Sequence, residues 1–76
     1  QAFPNPTTGE LNIQIQMEPG NGYQVTLLDG MGRAVNSWFA GDQVSLNVNI
    51  SDVAHGLYFL QVTNGAEQQV IRVVKE

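Results

Sequence analysis

Apolar and polar residues alternate along nearly the whole chain. Leu11, Ile13, Ile15 and Met17 interleave with Asn12, Gln14 and Gln16, a period of two that predicts a strand buried on one face. After the break at Pro19-Gly20-Asn21-Gly22, Tyr23, Val25 and Leu27 share one face of the next strand. Asp29-Gly30-Met31-Gly32 supplies a turn with glycines suited to positive φ, and Ala34 to Phe39 reads as a strand beyond it. Gly41-Asp42 turns the chain again. Val44, Leu46, Val48 and Ile50 then alternate with Ser45, Asn47 and Asn49. Ser51 to Gly56 predicts a connector with room for one helical turn capped by Ser51 or Asp52. Leu57 to Thr63 is more evenly apolar, which predicts a central strand covered on both faces. Asn64-Gly65 predicts a two-residue hairpin answered by Gln69 to Lys75. Phe3 adds a short edge strand held off by Pro4 and Pro6, which cannot donate ladder hydrogen bonds.

These elements amount to an all-β fold: an immunoglobulin-like β-sandwich of about seven short, mostly antiparallel strands, with turns at roughly 8- to 12-residue spacing. The 76 residues suffice for a single domain, 1–76, in which 1–10 is an N-terminal seam or edge strand and 11–75 the sandwich. Pro4, Pro6, Thr7 and Thr8 mark the junction with an upstream domain. A domain this small buries only about 60% of the surface its unfolded chain exposes. With no cysteine available, neither a disulfide nor a thiolate metal site supports it, and packing must suffice.

Charge narrows the range of partners. The formal net charge is −4, and the only strong bases are Arg33, Arg72 and Lys75. Nucleic acid requires clustered Lys and Arg, so none is expected as a partner, and the same shortage argues against an anionic membrane surface. No apolar run approaches the roughly 20 residues of a membrane span. The chain shows no signal peptide and no initiator methionine, and it is expected to be a piece of a larger protein.

Chemistry-bearing residues are few. Ser51, Asp52 and His55 have the residue types of a hydrolytic triad. Crowded into one connector, they cannot easily line up as nucleophile, base and orienter, and a capped turn with a solvent-facing imidazole is expected instead. Asp52 and His55 are too few ligands for a closed zinc site. Asp29 and Asp42 lack an acid-rich calcium loop around them. No metal, no cofactor and no enzymatic activity are expected. Gly20-Asn21-Gly22 and Gly30-Met31-Gly32 open no helix and read as turns, not phosphate cradles. Asn49-Ile50-Ser51 matches a glycosylation sequon too short to carry weight. Trp38 and Phe39 must point to opposite faces, as must Tyr58 and Phe59.

Three turn-to-strand motifs and a tail remain. Pro4-Asn5-Pro6 stiffens the start, with Asn5 placed to close an Asx turn, and Gly9 follows before Leu11. In Asp29-x-x-Gly32-Arg33-x-Val35, Asp29 would bond turn amides and Val35 would return to the core. Gly56-Leu57-Tyr58, running on to Val62, gives a sharp turn into a strand and a tyrosine whose ring buries while its hydroxyl finds a partner. Arg72-Val73-Val74-Lys75 is a basic, apolar ending. In this order the motifs resemble the C-terminal sorting domain of the bacterial type IX secretion system, over essentially the whole chain. Gly30, Arg72 and Glu76 depart from the pattern, which usually has an apolar residue, a lysine and no following acid there.

The resemblance implies a substrate of an export machine. The domain would follow an upstream cargo domain in an exported protein of the Bacteroidota, pass through the periplasm, and be recognised at the outer membrane by the translocon with its shuttle and sortase proteins. A cell-surface sortase would then cleave near or before Gln1, leaving the cargo at the cell surface or outside the cell. The last hairpin and an exposed tail would be the elements read, with a partner docking on a sheet edge by strand addition. Two copies pairing through their edges is a further arrangement such an edge permits. Two other classes remain open: a carbohydrate-binding module using Trp38 and Tyr23 as a stacking platform, and a passive immunoglobulin-like spacer.

Overall fold

A computed structural model describes residues Ala2 to Glu76. Seven strands form: β1 (Ala2–Phe3), β2 (Glu10–Gln14), β3 (Tyr23–Asp29), β4 (Ala34–Gly41), β5 (Ser45–Asn49), β6 (Gly56–Thr63) and β7 (Gln68–Lys75). They make two sheets, one of three strands in the order β1-β2-β5 and one of four in the order β4-β3-β6-β7. Every strand pair is antiparallel. One isolated parallel bridge links Thr7 to Lys75. The fold is a small β-sandwich, as the alternation anticipates.

The inward positions form one core. Leu11, Ile13 and Ile15 face Tyr23, Val25, Leu27, Leu60, Val62 and Val73, with Val48 and Ile50 closing the three-stranded side. Several are wholly inaccessible to solvent, and burying each such aliphatic side chain is worth about 1.5–3 kcal/mol. Without disulfides, this layer of period-two side chains is what holds the sandwich.

The structure corrects the sequence reading in several places. Val35 does not return to the core; it is 44% exposed. Leu27 pairs with Asn36 and Leu28 with Ala34, so Val35 is the extra residue of a β-bulge and is turned outward. The Asn64-Gly65 hairpin has a four-residue loop, 64–67, because Asn64 closes it onto Glu67 while Thr63 still pairs with Gln68. The connector after β5 is a turn closed from Val53 N–H to Ile50 O, with no helix. β6 is central, yet its outer face is open, with Leu57 exposed and Phe59 half-buried. Tyr23 is wholly buried and Trp38 packs against the core, so the proposed sugar-stacking platform does not exist.

Candidate functional site

The antiparallel register gathers the motifs. β3 and β7 finish at the same end of the four-stranded sheet at which β4 and β6 begin. Asp29 therefore pairs with Tyr58, Tyr58 with Val73, and Gly56 with Lys75. Three motifs scattered over 47 positions become neighbours through sheet pairing alone.

The Asp29 turn is built as its spacing suggests. The Asp29 carboxylate accepts hydrogen bonds from Met31 N–H and Arg33 N–H, both at 2.9 Å, and from Arg33 Nε at 3.1 Å. Gly32 donates from its N–H to Asp29 O at 2.9 Å and takes φ 85°, a conformation that disfavours a side chain. The Arg33 backbone amide, followed by the other donors, holds the Asp29 carboxyl below the ordinary carboxylate range. The Arg33 side chain itself is mostly exposed. Tyr58 is buried, and its hydroxyl donates to Ala54 O at 2.7 Å. Val62 lies wholly in the core further along β6 and is a packing residue.

The first motif reaches the last. Between the cis-linked Pro4 and Pro6, the Asn5 side chain lies along the outer edge of β7. Its Nδ2 donates to Arg72 O at 2.7 Å and its Oδ1 accepts from Val74 N–H at 3.0 Å, so the amide acts as one further residue of strand. Thr7 continues the pairing: its N–H donates to Val74 O at 2.9 Å and its O accepts from Glu76 N–H at 2.8 Å. The Thr7 hydroxyl turns back to Glu10 O, where β2 begins, and accepts from Gly9 N–H. Residues 4–7 thus form a strap that ties the edge of one sheet to the start of the other. Gly9 passes so close to the turn after β5 that a Cβ there would sit 2.9 Å from the Ser51 Cβ.

The tail is consequently a strand and not a free segment. Arg72 points out, Val73 is buried, Val74 is half-covered, and Lys75 is buried with Nζ donating to Val53 O at 3.2 Å and Glu76 O at 3.3 Å. Alternation explains this: an inward Val73 places Lys75 inward too. The same strap occupies the β7 edge from Arg72 to Glu76, the stretch where strand addition was expected. Thr7, read only as part of a junction, is the hub that the sequence reading missed. Its partners on β7 and just beyond it lie 67 and 69 positions away, and no local pattern signals them.

The other candidates stay apart. Ser51, Asp52 and His55 are exposed on the connector. Among the described residues, no three His, Cys, Asp or Glu side chains gather as metal ligands, and no helix is long and apolar enough to cross a membrane. The cleavage point expected near or before Gln1 lies outside the described residues.

The far end of the four-stranded sheet has a different chemistry. Asn64 is buried there; its Oδ1 accepts from Ala66 N–H and Glu67 N–H, and its Nδ2 donates to Glu18 O at 2.8 Å. The Tyr23 hydroxyl donates to Met17 O. Burial, with smaller contributions from the Glu18 and Asp42 carboxylates, pushes the Tyr23 hydroxyl above its ordinary value. Glu18, Asp42 and Glu67 lie in the loops at this end, whereas the motif end mixes Arg33 and Lys75 with Asp29, Asp52 and Glu76, and Arg72 lies on the half of β7 next to it.

No relative matches among the curated proteins. The family model described as the secretion system C-terminal sorting domain matches residues 1–76, the whole chain. With its motifs joined at one end of the sandwich, the chain belongs to the family of type IX secretion system C-terminal sorting domains.

Proposed function

We infer that, as a member of this family, the chain is a sorting signal for type IX secretion. Its parent protein is delivered to the cell surface or the extracellular space, and the domain meets the type IX machinery as part of a cargo chain. We propose that the machinery reads the assembled motif end and not a linear tail. One observation carries this reading: Asn5 and Thr7 hydrogen-bond the backbone of Arg72, Val74 and Glu76, so the first and last motifs are a single surface. The residues involved are Pro4, Asn5, Pro6, Gly9, Asp29, Gly32, Arg33, Gly56, Tyr58 and Arg72 to Lys75. Most of them shape the end; Arg33 and Arg72 are the side chains offered to a partner. Val35 and Val62 serve the bulge and the core.

On this reading residues 1–76 act as one domain, whose first ten residues are the seam to the cargo and also its closing strap. The domain crosses the periplasm folded, is recognised at the outer membrane by the translocon and its shuttle, and is removed by the sortase through cleavage upstream of the strap. It performs no catalysis itself. The test is a reporter fused either to residues 1–76 or to residues 10–76, with the tail intact in both, in a host with the type IX machinery. A composite site predicts export of the first and loss of the second. Equal export of both would return recognition to the tail alone.

A further inference from the structure

The outer faces of the two sheets differ in kind. On the three-stranded sheet the outward residues of β2 and β5 are polar, Glu10, Asn12 and Gln14, then Ser45, Asn47 and Asn49, and the apolar exception is Phe3 of β1 at its edge. The four-stranded sheet departs from this. Leu28 of β3, Leu57 and Phe59 of β6, and Val70 and Val74 of β7 all point away from the core, with Leu57 43% and Val70 51% exposed. Leu28 lies opposite Phe59, Phe59 opposite Arg72, and Leu57 opposite Val74. Directly opposed side chains sit about 5 Å apart, so these positions adjoin across three strands. Single exposed apolar residues are ordinary; a contiguous group marks an interaction surface.

Charge indicates what covers it. Arg72 stands exposed within the patch and, among the described residues, has no carboxylate partner, while Arg33 is tied to Asp29. We propose that this face docks onto a folded protein surface of the export machinery that is apolar at its centre and presents a carboxylate to Arg72. A lipid headgroup layer is disfavoured, because stable attraction to an anionic membrane takes a cluster of basic residues and this face has one free arginine. The proposal rests on the sorting reading and adds to it a face that the strap does not cover.

The test uses the reporter fused to residues 1–76, with the surface variants Phe59→Thr and Arg72→Glu and, on the opposite sheet, Asn12→Thr. Threonine keeps strand preference, and the Arg72 side chain takes no part in the strap, which bonds only its carbonyl. Resistance of each fusion to trypsin reports folding. Each of the first two variants is expected to lower export about tenfold while the fusion stays folded, and Asn12→Thr to leave export unchanged. Wild-type export by folded Phe59→Thr and Arg72→Glu fusions would overturn the docking face and leave the sorting reading standing. Failure of the unmodified fusion to leave the cell would overturn the sorting reading and this inference with it. Phe59-dependent binding of the fusion to phosphatidylglycerol vesicles would overturn the protein partner in favour of a lipid surface.

Discussion

Each end of the four-stranded sheet is closed by an asparagine, and the two closures have different reach. Asn64, at the acidic end, is buried and bonds backbone groups 2, 3 and 46 positions away. Asn5, at the motif end, is exposed and bonds backbone groups 67 and 69 positions away. Asn64 stitches a hairpin loop to the loop beside it. Asn5 joins the chain's first segment to its last strand. The acidic end is closed within the stretch from Glu18 to Glu67, whereas the motif end exists only when both extremities of the sandwich have met. A reader of the motif end therefore reads completion of the fold.

The largest expected effect breaks the acidic end. Asn64→Ala leaves Ala66 N–H, Glu67 N–H and Glu18 O short of partners in a partly buried site, and is expected to cost about 2–3 kcal/mol. For a chain this small that is roughly a 2–3 M fall in urea midpoint, taking about 1 kcal/mol per M. Asn5→Leu removes two bonds that water can replace, and is expected to cost about 1–2 kcal/mol. Its signature is local: the Val74 amide should exchange with solvent much faster, while Ile13 and Leu60 in the core keep their protection.

These two asparagines also show what a sequence discloses. The strands were legible because Leu11 to Ile15 and Val44 to Ile50 carry their burial in their own spacing. The shared face of Tyr23, Val25 and Leu27 was legible too, and it was already incompatible with Tyr23 as a surface platform. What stayed hidden depended on partners. Val35 is turned out by a bulge that exists only in the register of β4 against β3. Asn64-Gly65 carries the signature of a tight hairpin, but Asn64 instead spends its side chain closing a longer loop. Pro4-Asn5-Pro6 was recognisable as stiff, yet its pairing with β7 is a contact between opposite ends of the chain. The tail looked exposed because it is basic, and alternation then placed Lys75 inside.

Titration sharpens the contrast with smaller effects. Tyr23 has its folded pKa raised, so its contribution is intact below the ordinary tyrosine value of 10.0 and is lost as pH climbs past that toward the folded value. Tyr23→Phe should lower stability less than Asn64→Ala and flatten this alkaline loss, as seen in urea midpoints between about pH 9 and 11. Asp29 has its folded pKa lowered, so its contribution is present above the ordinary value of 3.8 and disappears as pH falls below it. Asp29→Asn should have the smallest effect near neutrality, because its partner Arg33 is largely in solvent, and should weaken the acid dependence below about pH 4.

The central claim is that a joined motif end, not general stability, licenses export. Reporter fusions bearing Asn5→Leu and Asn64→Ala, compared at a temperature where both are folded by trypsin resistance, test it most directly. Export should collapse for Asn5→Leu and persist for the less stable Asn64→Ala. Export that instead tracks stability, with Asn64→Ala the poorer of the two, would contradict the account.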